Sequence, residues 1–155
     1  MQINKDKLHG KSVLIIGPPA SGKTTLANNI MEPGVRVFHT DDYMAFGYKE
    51  ALYVLLDDLK KLPARPIIIE GVQGYRLLRK GLELGCYYPD VVIELQISKT
   101  RQIEIYNLER DPQKLKYLEG FDRMHQKILA DYFTLQLNLP ENKRPEWIKT
   151  ELQTK

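Results

Sequence analysis

Short apolar runs alternate along this chain with segments in which apolar residues recur every three or four positions. Four runs have the composition of buried strands, and they span residues 13–17, 35–39, 67–70 and 90–97. Helical spacing follows at residues 23–31, 50–62, 75–84, 99–109 and about 121–135. This alternation predicts a three-layer α/β fold, in which helices cover both faces of a mainly parallel sheet of four or five strands.

The pattern changes near the end of the chain. Residues 138–155 are polar and interrupted by prolines, with little besides Trp147, Ile148 and Leu152 to bury. No clear fifth strand is visible after Leu139. We therefore expect a core within about residues 12–135, followed by a polar C-terminal segment.

Composition limits the classes of protein to consider. A chain of 155 residues, with 43% apolar and 28% charged residues, fits one globular domain. The net charge of +3 is spread along the sequence, so it is compatible with anionic substrates and allows nucleic acid as a partner without indicating it. Cys86 is the only cysteine, and no apolar stretch reaches the length of a membrane span. The polar start lacks the apolar segment of a signal peptide, so we expect a cytoplasmic protein without a membrane partner.

A phosphate-binding pattern lies between the first predicted strand and the first predicted helix. The motif G-x-x-x-x-G-K-[ST] is complete in Gly17, Pro18, Pro19, Ala20, Ser21, Gly22, Lys23 and Thr24. Glycines let the backbone wrap around phosphate oxygens, and the amides at the helix start point at the anion along a favourable dipole. Lys23 adds a charge that can span the β- and γ-phosphates, and the Thr25 hydroxyl can reach the α-phosphate. Residues 17–25, the phosphate loop, therefore predict a site for ATP or GTP.

A bound triphosphate needs Mg²⁺, and the metal needs protein oxygens beside the phosphates. The Thr24 hydroxyl is placed to be one ligand. Glu70 is the candidate for the second, because it follows three isoleucines and emerges at the carboxyl edge of the sheet, where ligands bind in open α/β folds. Glu94 is the rival, but it lies inside its strand, which favours a structural role.

Two carboxylates follow the second predicted strand. Asp41 and Asp42 lie near the same sheet edge as the phosphate loop, where a carboxylate can accept a proton from an attacking hydroxyl or hold metal-bound water. The alternative is a turn whose aspartates cap the next helix. We interpret His39, which precedes them, as a strand residue rather than a catalyst.

Basic residues follow the fourth predicted strand. Arg101 lies in the next helix, and Arg110 lies at a corner between two helices, where a mobile lid can hinge. Arginines at such positions can neutralise charge on a transferring phosphoryl group, although exposed helix arginines are common.

The sequence resembles the uridine kinase and nicotinamide riboside kinase group of P-loop kinases. The resemblance is carried by five segments in this order: GPPASGKTT, VFHTDDYM, IIIEG, DVVIELQIS and, directly after it, KTRQIEIYNLERD. The resemblance covers roughly residues 12–135. It implies that Asp41 is the general base, with Asp42 and Tyr43 as the next positions of its motif; Met44 departs from the second aromatic of that motif. It also implies that Arg110 belongs to a lid.

The leading hypothesis is a kinase that transfers the γ-phosphoryl group of ATP to a hydroxyl of a small nucleoside-like molecule. Lys23, Asp41 and Arg110 would be catalytic, while Asp42, Tyr43, Arg76 and Arg101 would contact substrate. Three alternatives stay open: a nucleoside monophosphate kinase, a polynucleotide 5′-hydroxyl kinase, and a nucleotide-binding module that regulates a partner without catalysis.

Overall fold

The computed structural model describes residues 3–62 and 66–151. In chain order its main elements are β1 Val13–Ile16, α1 Lys23–Ile30, β2 Arg36–His39, α2 Tyr48–Lys60, β3 Ile67–Glu70, α3 Gly74–Glu83, β4 Val91–Gln96, α4 Lys99–Glu109, α5 Leu118–Leu135 and β5 Glu146–Glu151. Short 3₁₀ segments lie at Lys5–Leu8, Thr40–Phe46, Pro112–Tyr117, Gln136–Asn138 and Glu141–Lys143. Within the described ranges, no helix has both the length and the apolar character needed to cross a bilayer.

All five strands form one parallel sheet in the order β2-β3-β1-β4-β5. The central strand β1 pairs with β3 on one side and β4 on the other. Because every strand runs in the same direction, the loops that follow β1, β2 and β3 leave the sheet at one edge. The predicted α/β fold with helices on both faces is thereby confirmed.

Side chains of the central strands alternate between two apolar layers, as a pleated strand requires. Val13 and Ile15 pack in a layer with residues of α1, whereas Leu14 and Ile16 pack with residues of α2, α3 and α5. Both faces of β1 are consequently buried, which explains its unbroken apolar sequence. The phosphate loop starts from this rigid strand.

The C-terminal segment differs from our expectation. We expected no clear strand after Leu139, but Glu146–Glu151 pairs with β4 along its whole length. The strand lies at the sheet edge, where polar side chains such as Lys149 and Glu151 stay exposed. A half-exposed edge strand lacks the continuous apolar run that identifies the central strands, so its sequence pattern is weak.

Trp147 attaches this edge strand to the core. Its indole Nε1 donates a hydrogen bond of 3.0 Å to Oε1 of Glu94, a buried residue of β4. The indole ring also contacts Phe133 of α5, with ring centroids 4.9 Å apart. Glu94 therefore has a structural partner, in keeping with the role expected from its position inside the strand.

Trp147→Phe is expected to lower the free energy of unfolding by about 1–3 kcal/mol, because it leaves the buried Glu94 without this donor. Urea denaturation followed by circular dichroism measures the change. Glu94→Leu and the double variant complete a double-mutant cycle. We expect the free energy of unfolding of the double variant to fall by less than the sum of the decreases in the two single variants. Strict additivity would show that this hydrogen bond does not stabilise the edge strand.

Candidate active site

The phosphate loop is a tight turn between β1 and α1. The carbonyl of Pro18 accepts a hydrogen bond of 3.2 Å from the Ser21 amide, which closes the turn. Ala20 and Gly22 take positive φ angles of 70° and 95°. Pro18 and Pro19 carry no amide hydrogen, so the donors that this loop offers to an anion begin at Ala20.

Backbone amides at the start of α1 have no acceptor inside the helix. The first amide bonded to the helix itself is that of Leu26, which donates to the Gly22 carbonyl at 2.9 Å. The amides of Lys23, Thr24 and Thr25 lie before it in the first turn, where helical geometry offers no backbone partner. Together with the helix dipole, these donors are suited to bind a phosphate.

Lys23 holds a positive charge in the interior beside these amides. The residue is only 7% exposed, and its Nζ donates a hydrogen bond of 2.9 Å to the Pro18 carbonyl. Burial lowers the pKa of Lys23 from 10.5 to about 8, against the opposing influence of the Glu70 and Asp41 carboxylates. The positive charge of Arg110 lowers the pKa further. A bound polyphosphate would favour the protonated form of this lysine.

Glu70 lies at the end of β3, and its side chain is only 5% exposed. Its Oε1 accepts a hydrogen bond of 3.1 Å from the Thr24 hydroxyl. The Nδ1 atom of His39, which ends the neighbouring strand β2, lies 2.6 Å from the same oxygen. His39 lies in the strand, as expected, but its contact with Glu70 was not predicted; it follows from the parallel register of β2 and β3, which makes His39 and Glu70 direct partners.

The contact between Thr24 and Glu70 fits a magnesium site. It brings a hydroxyl and a carboxylate oxygen, both hard ligands that Mg²⁺ accepts, to the first turn of α1. Among the described residues, no group of three or more His, Cys, Asp or Glu side chains is arranged to hold a metal ion by itself. These residues therefore suit an ion whose remaining ligands are phosphate oxygens and water.

Gly71 fixes the spacing between the ends of β2 and β3. Its φ is +142°, and a Cβ placed on it would lie 1.8 Å from Oγ1 of Thr40. The backbone after Glu70 thus passes directly against Thr40, which is itself buried. Since Asp41 follows Thr40, this contact also sets the position of Asp41 relative to Glu70.

A cleft of about 420 Å³ opens above these residues. Its lining includes the loop from Pro19 to Thr25, and it also contains Asp41, Glu70, Val72, Gln96, Ile97, Arg101, Ile105, Glu109, Arg110 and Glu151. The predicted base Asp41, the predicted metal ligand Glu70 and the two predicted arginines, Arg101 and Arg110, therefore share one cleft with the phosphate loop. Gln96, Glu109 and Glu151 were not predicted as site residues.

Three predicted substrate contacts lie outside the lining of this cleft. The Tyr43 hydroxyl donates a hydrogen bond of 2.8 Å to Asp58 of α2, and burial together with this bond raises the pKa of Tyr43 to about 12. Arg76 donates to the Tyr48 carbonyl at 2.9 Å and lies over the Tyr48 ring. Asp42 is exposed. The contact of these residues with substrate stays a prediction.

Gln102 of α4 is a second contributor that the sequence did not reveal. Its Nε2 donates a hydrogen bond of 2.8 Å to the Pro19 carbonyl, and the residue is buried. The bond joins the phosphate loop to the helix that carries Arg101. A lone glutamine in a helical pattern gives no sign of such a long-range contact.

No protein-family model matches the chain, and no curated protein sequence matches it at a significant level. Among solved structures, the chain is similar to shikimate kinase from Acinetobacter baumannii in complex with shikimate. The similarity covers 98% of this chain and 89% of that chain, with a TM-score of 0.48 and 14% sequence identity. A likeness this remote carries no argument about chemistry.

Lys23→Met is expected to stabilise the nucleotide-free protein at neutral pH by on the order of 1–3 kcal/mol, because it removes a buried charge. The folded pKa of about 8 lies below the ordinary value of 10.5, so the wild-type protein gains stability as pH rises between these values. The variant lacks this titrating group, so the difference in the free energy of unfolding between variant and wild type should shrink as pH rises from about 8 to 10.5. Urea denaturation at several pH values measures the difference, and a variant that is destabilised equally at every pH would contradict the burial argument.

Proposed function

We propose that this protein is an ATP- or GTP-dependent kinase that transfers the γ-phosphoryl group to a hydroxyl of a small nucleoside-like molecule. The observation that carries the proposal is the shared cleft, which joins the phosphate loop to a carboxylate at each of two strand ends and to two arginines. A module that only binds nucleotide needs the loop, whereas the exposed Asp41 carboxylate in the same cleft can also accept a proton from an acceptor hydroxyl.

The donor is held by the start of α1. The amides of Ala20 and of the first turn bind phosphate oxygens, and the Lys23 ammonium adds a charge for the β- and γ-phosphates. Thr24 and Glu70 would hold Mg²⁺, which when bound neutralises charge on the β- and γ-phosphate oxygens. The lining of the cleft also includes Ile97 and Ile105, apolar side chains that could contact the base.

Asp41 is the proposed general base. It lies in the cleft, and its carboxylate is close enough to Lys23 to raise the pKa of that ammonium. In the reaction the acceptor hydroxyl passes its proton to the Asp41 carboxylate while its oxygen bonds to the γ-phosphorus. The bond between that phosphorus and the bridging oxygen breaks, and a nucleoside diphosphate leaves.

Arg110 and Arg101 are the proposed partners of the transferring group. Arg110 directly follows α4, lies over the Tyr106 ring at 5.5 Å and acts electrostatically on Lys23. Arg101 pairs with the exposed Glu104 at 3.2 Å, a surface contact that is weak enough to be exchanged for phosphate. Both guanidinium groups can spread over phosphate oxygens as charge develops there.

The nucleoside-like acceptor is supported by the resemblance of residues 37–44 to the uridine kinase and nicotinamide riboside kinase group. Incubation with Mg²⁺ and γ-labelled ATP or GTP tests it against panels of nucleosides, sugars, nucleoside monophosphates and short oligonucleotides. We expect label to be transferred to a nucleoside hydroxyl. Transfer only to monophosphates or to oligonucleotide 5′ ends would support the alternative acceptors, and nucleotide binding without any transfer would contradict a kinase.

Asp41→Asn is expected to lower kcat by about 100-fold or more, since it removes the base while keeping the shape of the side chain. The dissociation constant for ATP should change little, because the phosphate loop is intact. Lys23→Ala, in contrast, should abolish nucleotide-dependent activity. Steady-state kinetics and isothermal titration calorimetry separate the two effects, and an asparagine variant with normal turnover would refute the assignment of Asp41.

A further inference from the structure

His39 is held against the proposed metal ligand by the sheet itself. In the pairing of β2 with β3, the Cα atoms of His39 and Glu70 are direct partners. The imidazole Nδ1 lies 2.6 Å from Oε1 of Glu70, while the ring as a whole stays 34% exposed. The acceptor is a carboxylate oxygen, so Nδ1 carries the hydrogen and donates it.

The same carboxylate oxygen also accepts the hydrogen bond of the Thr24 hydroxyl. Two donors from different elements, one on β2 and one on α1, therefore converge on Oε1 and fix the rotation of the carboxylate. Gly71 restrains the backbone on the following residue. Each of these contacts limits how Glu70 can move.

The geometry assigns His39 an indirect role. The histidine is absent from the residues that line the cleft, whereas Asp41 and Glu70 are among them. Its Nδ1 is used in the contact with Glu70, so that nitrogen is not free to meet a substrate. The contact that links His39 to the site is therefore the one with the Glu70 carboxylate.

We propose that His39 is a positioning residue, whose Nδ1–H hydrogen bond holds the Glu70 carboxylate beside the Thr24 hydroxyl and thereby strengthens Mg²⁺ binding in the nucleotide complex. Outer hydrogen bonds of this kind orient metal ligands, and their loss typically weakens metal affinity by about 10- to 100-fold. The inference rests on the proposed use of Mg²⁺ with a nucleotide, but it does not need phosphoryl transfer.

The test compares the dissociation constant for ATP in excess Mg²⁺ with that in EDTA, by isothermal titration calorimetry. His39→Phe removes the hydrogen-bond donor and keeps a ring. Mg²⁺ should increase the ATP affinity of the wild-type protein, and we expect this increase to be smaller by a factor of about 10 or more in the variant. Affinity in EDTA should be unchanged. Titration of Mn²⁺ into the nucleotide complex, followed by electron paramagnetic resonance, should show the same loss directly.

Two further variants control the comparison. His39→Asn keeps a side-chain N–H donor and should recover part of the metal-dependent gain; it also keeps the test decisive if the phenylalanine variant fails to fold. His9→Phe breaks a similar histidine–glutamate contact at an exposed site, where His9 Nδ1 lies 2.8 Å from Oε2 of Glu32. It should leave the dissociation constant for ATP unchanged both in Mg²⁺ and in EDTA.

An equal loss of affinity with and without Mg²⁺ would show a purely structural role and overturn the proposal. The proposal would also be overturned if Mg²⁺ increased the ATP affinity of His39→Phe as much as that of the wild-type protein. It would fail, too, if the ATP affinity of the wild-type protein did not depend on Mg²⁺. If the predicted pattern appears but no acceptor is phosphorylated, the positioning role stands and the kinase proposal fails alone.

Discussion

A buried positive charge beside unpaired backbone donors is the constraint on which the site depends. The Lys23 ammonium is buried and donates to the Pro18 carbonyl, and the amides of the first turn of α1 beside it have no acceptor within the helix. Burial makes the protonated lysine unfavourable, as its lowered pKa shows. A bound anion would offset both costs, because its charge favours the protonated lysine and its oxygens accept hydrogen bonds from the amides.

The parallel sheet brings the nearby carboxylates to this charge. Because β1, β2 and β3 end at one edge, the residues that follow them meet although they are distant in sequence. Thr24, His39 and Glu70 come from three different elements and contact one another through a single carboxylate oxygen. An antiparallel strand would have sent one of them to the opposite edge.

Local patterns were sufficient to predict the central strands, the helices and the phosphate loop, since each depends on neighbours in the chain. The edge position of Glu70 and Asp41 followed from strand direction alone. The fifth strand was missed because its polar, half-exposed sequence lacks an apolar run. The bond from Gln102 to Pro19 and the contact of His39 with Glu70 depend on packing between distant segments, which residue spacing does not encode.

The two prolines of the phosphate loop have a further consequence for the nucleotide-free protein. Each fixes its own φ angle, and the Pro18 carbonyl is held by the Ser21 amide and the Lys23 ammonium at once. Much of the conformational entropy that a glycine-rich turn would lose on meeting a ligand is therefore already lost when the chain folds. Such a loop presents fewer donors than one with glycines in these places, but it presents them in a shape that needs little reorganisation.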